Sequence, residues 1–243
     1  MIHSNRSIPA DRLKLLIFDL DGTLVDSRID LANSVNAMLR NFDKAELPNE
    51  VIASYIGDGA PMLVRRALGD PDDESFVNKA LEFFLLYYRE HKLDYTFVYD
   101  GIKESLDAIQ NSRNGNPAKM AVLSNKPVYP SRAIVEALGL GRYFFQVYGG
   151  NSFHTKKPDP AGVHALLQEA QVQPLEAAIV GDSEIDVLTA HNSGIYSVGV
   201  KYGFAPHTLE TVPPDVLIDT PHELAEVLGN QHLANSNWQL AKP

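Results

Sequence analysis

At 243 residues, with 44% hydrophobic and 21% charged side chains, the chain has an ordinary globular composition and length for one large or two small folding units. It contains no cysteine, which excludes disulfides, thiolate metal sites and cysteine nucleophiles and leaves its chemistry to oxygen and nitrogen groups. A formal charge of −10, no basic cluster interleaved with aromatics and no apolar stretch of membrane-spanning length argue against nucleic-acid and membrane partners, so a cytoplasmic protein is expected.

Along the chain, the first informative segment is 15–27, LLIFDLDGTLVDS. Residues 15–18 are continuously apolar, as in a strand covered on both faces of a parallel sheet. Asp19 then falls at the carboxyl end of that strand, the edge where open α/β sheets bind ligands. Asp19 and Asp21 are two residues apart and would leave an extended strand on the same face. Two anions held so close call for a divalent cation or a shared proton. The alternative is that they only cap a helix or form a turn. An EF-hand does not fit, because Thr23 stands at the third acidic position and Gly22 comes too early.

Residues 28–95 show helical spacing at 29–41, 60–68 and 73–91 and no convincing strand. They predict an all-helical insertion after the first strand, closed by a strand-like return at 95–99. Phe83, Phe84, Leu86, Tyr87 and Tyr88 are expected in its core or against the rest of the chain. Gly57 and Gly59 predict a turn with exposed N–H groups ahead of the helix at 60–68.

From residue 100 onward, candidate strands at Lys119–Leu123, 144–148, 177–180, Tyr196–Val200 and 215–218 alternate with helices at 131–138, 160–170 and 184–192. That alternation predicts an α/β fold, a doubly wound, Rossmann-like parallel sheet. The expected division is a core of 1–27 and 96–230, a helical domain of 28–95 and a loose tail of 231–243. Ser124 also follows an apolar strand, so its hydroxyl and the Asn125 N–H could bind an anionic oxygen at a helix start, or could simply cap that helix. Asp182 follows the strand at 177–180 and Gly181, on the same sheet edge as Asp19. The eight histidines show no metal-ligand spacing; His154 and Lys156 are expected at the surface.

The run from Asp19 to Ser27 resembles the first motif of the haloacid dehalogenase superfamily, in the form its phosphatases and phosphomutases use. Ser124-Asn125-Lys126, Lys157-Pro158-Asp159-Pro160 and Gly181-Asp182-Ser183-Glu184-Ile185-Asp186 resemble its other three motifs, in order. The resemblance implies that the helical insertion is a cap over the site. It implies Asp19 as a nucleophile forming an aspartyl-phosphate, Asp21 as general acid and base, and Lys157 as the neutralising cation. It further implies Mg²⁺ held by the Asp19 carboxylate, the Asp21 backbone carbonyl and the Asp182 carboxylate, with Asp186 in support. Gly22, Thr23, Ser124 and Asn125 would contact the phosphate.

The segment from Tyr55 to Leu68 resembles that of the phosphoglycolate phosphatases, which implies 2-phosphoglycolate as the small phosphate ester. Gly57, Gly59 and Arg66, or its neighbour Arg65, would then bind the glycolate carboxylate; the alternative is that both arginines are solvated. Another small phosphate ester or a β-phosphoglucomutase-like transfer would use the same Asp19 and Asp21. Dehalogenation needs neither Mg²⁺ nor Asp21, and for phosphonate hydrolysis nothing singles out Lys44 or Lys79. A catalytically silent binding protein should have lost one of Asp19, Asp21, Lys157 or Asp182, and all four are present. A monomer and a homodimer fit equally.

Overall fold

The computed structural model describes residues 2–112 and 117–229. The expected tail at 231–243 lies outside the described residues. In chain order, β1 (His3–Ser4), β2 (Leu15–Phe18) and β3 (Val25–Asp26) precede four helices, α1 (Arg28–Asn41), α2 (Asn49–Ala53), α3 (Ala60–Ala67) and α4 (Glu74–His91). Then β4 (Phe97–Val98), α5 (Ile102–Asn111), β5 (Lys119–Leu123), α6 (Val128–Ala137), β6 (Gln146–Tyr148) and α7 (Ala161–Ala170) follow. The chain closes with β7 (Ala177–Gly181), α8 (Glu184–Ser193), β8 (Tyr196–Val200), β9 (Val216–Ile218) and α9 (Leu224–Leu228).

Seven strands form one sheet in the order β1-β9-β8-β7-β2-β5-β6, parallel throughout except for β1 at its edge. The side-chain alternation of β2 explains the layers. Leu15 and Ile17 point to the face covered by Val163, Leu166 and Leu167 of α7 and Ala190 of α8. Leu16 and Phe18 point to the other, where α5, α6 and α9 supply Ile102, Leu106, Ile134, Val135, Leu224 and Leu228. All four β2 residues have no exposed area, which accounts for the unbroken apolar run. From β2 the chain builds β5 and β6 on one side, then returns to build β7, β8 and β9 on the other, so the switch in winding lies beside β2.

Helices α1–α4 share a separate apolar cluster, with Leu31, Val35 and Met38 meeting Ile52, Leu63, Val64, Phe84 and Tyr88. Helix α4 buries Val77, Ala80, Phe84 and Tyr88, a stripe at three- and four-residue spacing, and Asp73 caps it by accepting the Phe76 N–H at 3.0 Å. Leu86 lies outside that core, on the opposite face of the helix and 52% exposed, where it borders a groove shared with Pro127, Tyr129 and Pro130. The helices join the sheet through two neighbouring connections, because β3 pairs antiparallel with β4.

Buried Asp30, in the first turn of α1, ties these connections together. It accepts from Tyr95 N, Thr96 N and Thr96 Oγ1 at 2.7–3.1 Å. Asp30→Ala orphans these donors, two of them on buried Thr96, and each such group costs about 1–3 kcal/mol. Urea denaturation should therefore show a loss of roughly 2–4 kcal/mol; a change under about 0.5 kcal/mol, as at an ordinary surface position, would contradict this role.

Five of these elements were not expected. β1 and β3 span two residues each, too short for any periodicity, and α2 and α9 span five each. α5 did carry a signal, with Ile102, Leu106 and Ile109 spaced for a buried face after Gly101. α6 begins at Val128, three residues before the expected start, directly after Pro127 at its N-cap. Among the described residues no helix is long and apolar enough to cross a membrane.

Candidate active site

Strand register assembles the site. Phe18 is level with Val122 of β5 and Val180 of β7, so Asp19 leaves β2 as Ser124 and Asp182 emerge from the flanking strands. Asp19 N donates to Val180 O at 2.9 Å, and the nearby Ser124 hydroxyl favours the ionised form of the Asp19 carboxyl. Lys157 enters from the segment before α7 and is 5% exposed. Its Nζ lies 3.1 Å from Asp19 Oδ1 and 2.6 Å from Asp186 Oδ1. Burial works against the ammonium, but Asp186 and then Asp19 outweigh it and hold the Lys157 pKa above the ordinary lysine value.

Carboxylate oxygens of Asp19, Asp182 and Asp186 lie within 4.8 Å of one another. Burial, opposed by Lys157, pushes the Asp19 carboxyl up to about 6. Burial, then Asp186 and Asp19, pushes Asp182 up to about 8, although Asp182 Oδ2 accepts from Phe204 N at 2.6 Å and Ala205 N at 3.2 Å. Negative charge is thus in excess at this point, and among the described residues the ligands grouped there are hard oxygen donors. Both features fit a divalent cation such as Mg²⁺. Asp186 also accepts from Ser183 N and Ser183 Oγ, closing a capping box on α8. It therefore fixes both its helix and Lys157.

Asp21 turns away from that cluster. Its carboxylate accepts from Ser27 Oγ at 2.6 Å and from Lys126 Nζ at 3.0 and 3.2 Å. Lys126 is 6% exposed, and its ammonium sits 4.5 Å from the centre of the Tyr88 ring of α4. Burial disfavours the charge, but Asp21 and then Tyr88 raise the Lys126 pKa above its usual value. The sequence motif contained Lys126 without a role for it; its partner is 105 positions away, and only the fold reveals the pair.

Several expected contacts fall elsewhere. Gly22 N–H donates to Val25 O at 2.9 Å, closing the turn, so it is not directed at a phosphate. What requires glycine is its φ of +82° and the approach of Asp182, whose Oδ2 would lie 2.3 Å from a Cβ there. Gly203 meets Asp182 as tightly, with 2.2 Å between a built Cβ and Asp182 Cβ. Thr23 is fully buried, its Oγ1 unpartnered and outside the cleft. Asn125 Nδ2 donates to Lys157 O and Gly57 O, both at 3.1 Å, linking the sheet edge to the helical insertion.

The expected arginine contacts are corrected as well. Arg66 donates to Asp58 Oδ2 at 2.5 Å and Tyr55 O at 3.3 Å, bracing the 55–59 turn from outside. Arg65 is committed to Asp70, Glu74 and Pro71 O. Gly57 and Gly59 do border the cleft. Lys156 is exposed as expected, with its ammonium bound to Asp58 O, and His154 is exposed.

A cleft lies between the sheet edge and the helices. Its floor holds Asp19, Asp21, Ser124, Lys126, Lys157 and Asp182, and its helical wall is mostly apolar.

The sequence model of haloacid dehalogenase-like hydrolases matches residues 16–200, a span that includes Asp19, Asp21, Ser124, Lys126, Lys157, Asp182 and Asp186. The chain belongs to the haloacid dehalogenase-like hydrolases. A phosphoglycolate phosphatase from Pseudomonas syringae pv. tomato is 38% identical over 196 residues, covering 79% of this chain and 70% of its own. Another, from Haemophilus influenzae, is 33% identical over 225 residues and is covered to 99%. The crystal structure of a predicted phosphoglycolate phosphatase from Haemophilus somnus superimposes with a TM-score of 0.82 at 30% identity, covering 89% of this chain and 98% of that one. As a member of this hydrolase family, the chain is an enzyme.

Proposed function

We propose that this haloacid dehalogenase-like phosphatase hydrolyses 2-phosphoglycolate to glycolate and phosphate through an aspartyl-phosphate on Asp19. The observation that carries the chemistry is the convergence of Asp19, Ser124, Lys157 and Asp182 on one sheet edge, around a carboxylate facing the cleft. The substrate is supported by the names of the relatives.

Asp19 attacks phosphorus and displaces the glycolate alkoxide; water then releases phosphate from the acyl phosphate and restores the carboxylate. Ser124 Oγ and Lys157 Nζ, both already at Asp19, hold the transferring group and offset its charge. Asp21, fixed by Ser27 and Lys126, delivers a proton to the leaving oxygen and afterwards takes one from water. Asp19 and Asp182 would hold Mg²⁺, with Asp186 beside them, and the ion would supply charge neutralisation at the phosphoryl oxygens. The helices α1–α4 act as a cap domain that excludes water, with the Gly57–Gly59 turn over the reacting group.

Phosphate release measured on 2-phosphoglycolate and a panel of small phosphate esters, with Mg²⁺ and with chelator, tests this. A Mg²⁺-dependent kcat/KM far above the panel is expected. Better turnover of another ester would keep the chemistry and discard the substrate.

A further inference from the structure

We propose that Lys126 is the residue that recognises the substrate's carboxylate, and so selects phosphate esters carrying an acid group beside the ester oxygen. The proposal rests on the phosphoglycolate reading above and deepens it.

A small ester with two anionic ends needs a second cation in the cleft, apart from the one on the phosphoryl group. Among the described residues, Lys126 and Lys157 are the cations that line it. Lys157 is committed at the phosphoryl end, between Asp19 and Asp186. The helical wall offers Leu31, Ile56, Leu63, Phe84 and Tyr88, none of which can balance a carboxylate. The arginines of α3 face Asp58, Asp70 and Glu74 instead. This leaves Lys126.

Distance makes the same selection. The leaving oxygen must come within about 3 Å of Asp21 to receive a proton. Lys126 Nζ is 3.0 Å from Asp21 Oδ2, so it stands no more than about 6 Å from that oxygen. In phosphoglycolate one methylene separates the ester oxygen from the carboxylate, whose own oxygens lie within about 4 Å of it, a span set by three covalent bonds. Recognition there falls within the ammonium's reach. Two of its three protons can serve Asp21 and the ligand at once, while the Tyr88 face closes its other side.

The test begins with the wild-type enzyme on 2-phosphoglycolate and on ethyl phosphate, which has a methyl where the other has a carboxylate. Absence of a preference for phosphoglycolate would remove the substrate reading and the proposal together. With the preference established, K126M should lower the ratio of kcat/KM between the two esters by about 10- to 100-fold, the usual worth of one charge-assisted contact. K126R should keep most of the ratio. If K126M does not fold, K126Q, which keeps a donor toward Asp21, must show the same collapse. Equal losses on both esters would mean that Lys126 serves only Asp21, and would overturn the assignment. A collapse of the ratio in R66M with Lys126 intact would overturn it too.

Discussion

Asp19→Asn should reduce phosphate release from 2-phosphoglycolate by roughly 10⁵-fold, the scale on which removal of a covalent nucleophile acts, while the protein remains folded. The amide has nearly the shape of the carboxylate, so the packing at the end of β2 is kept, and Lys157 retains Asp186 at 2.6 Å. The replacement also removes one of three crowded acids, and burial already disfavours the charge on Asp19. The melting temperature without metal should therefore hold or rise. Residual turnover within tenfold of wild type, in protein cleared of contaminating phosphatase, would refute Asp19 as nucleophile. Loss of turnover together with loss of folding would leave Asp19 a structural residue.

The second large effect concerns stability, pH and metal. Asp182 titrates at about 8 and Asp19 at about 6 in the folded chain, against 3.8 for an ordinary aspartate. Between pH 4 and these values the folded protein binds more protons than the unfolded chain, so this contribution to stability is present at low pH and is lost as pH rises. Each pKa unit corresponds to about 1.4 kcal/mol, and each kcal/mol to about 2–4 °C in a chain of this length. A cation bound by the cluster replaces the lost protons. Mg²⁺ should therefore raise the melting temperature by several degrees at pH 8 and by much less at pH 5, and Asp182→Asn should flatten the difference. Equal Mg²⁺ shifts at both pH values would show that the ion binds elsewhere.

What could be read from the sequence was whatever a strand places by itself. Asp19, Ser124 and Asp182 each follow a short apolar run, so the sheet edge was legible before any tertiary contact was known. Contacts across the chain were not legible. The Lys126–Asp21 pair and the Phe204 and Ala205 amides on Asp182 depend on loops distant in sequence that meet only in the folded chain. Arg66 misled because an arginine on a helix near a candidate ligand carries no sign of which way it faces, and Asp58 captures it. The Gly22-Thr23 pair misled for another reason: its N–H and its buried hydroxyl belong to the turn itself.

The seating of Asp182 between Gly22 and Gly203 bears on how such a chain can diverge. Neither glycine reacts with anything, yet a methyl group at either position would occupy the space of that carboxylate. The loop after β8 is thus denied the drift usually open to a connecting segment. Two positions that contribute no side chain decide whether the acid between them keeps its place.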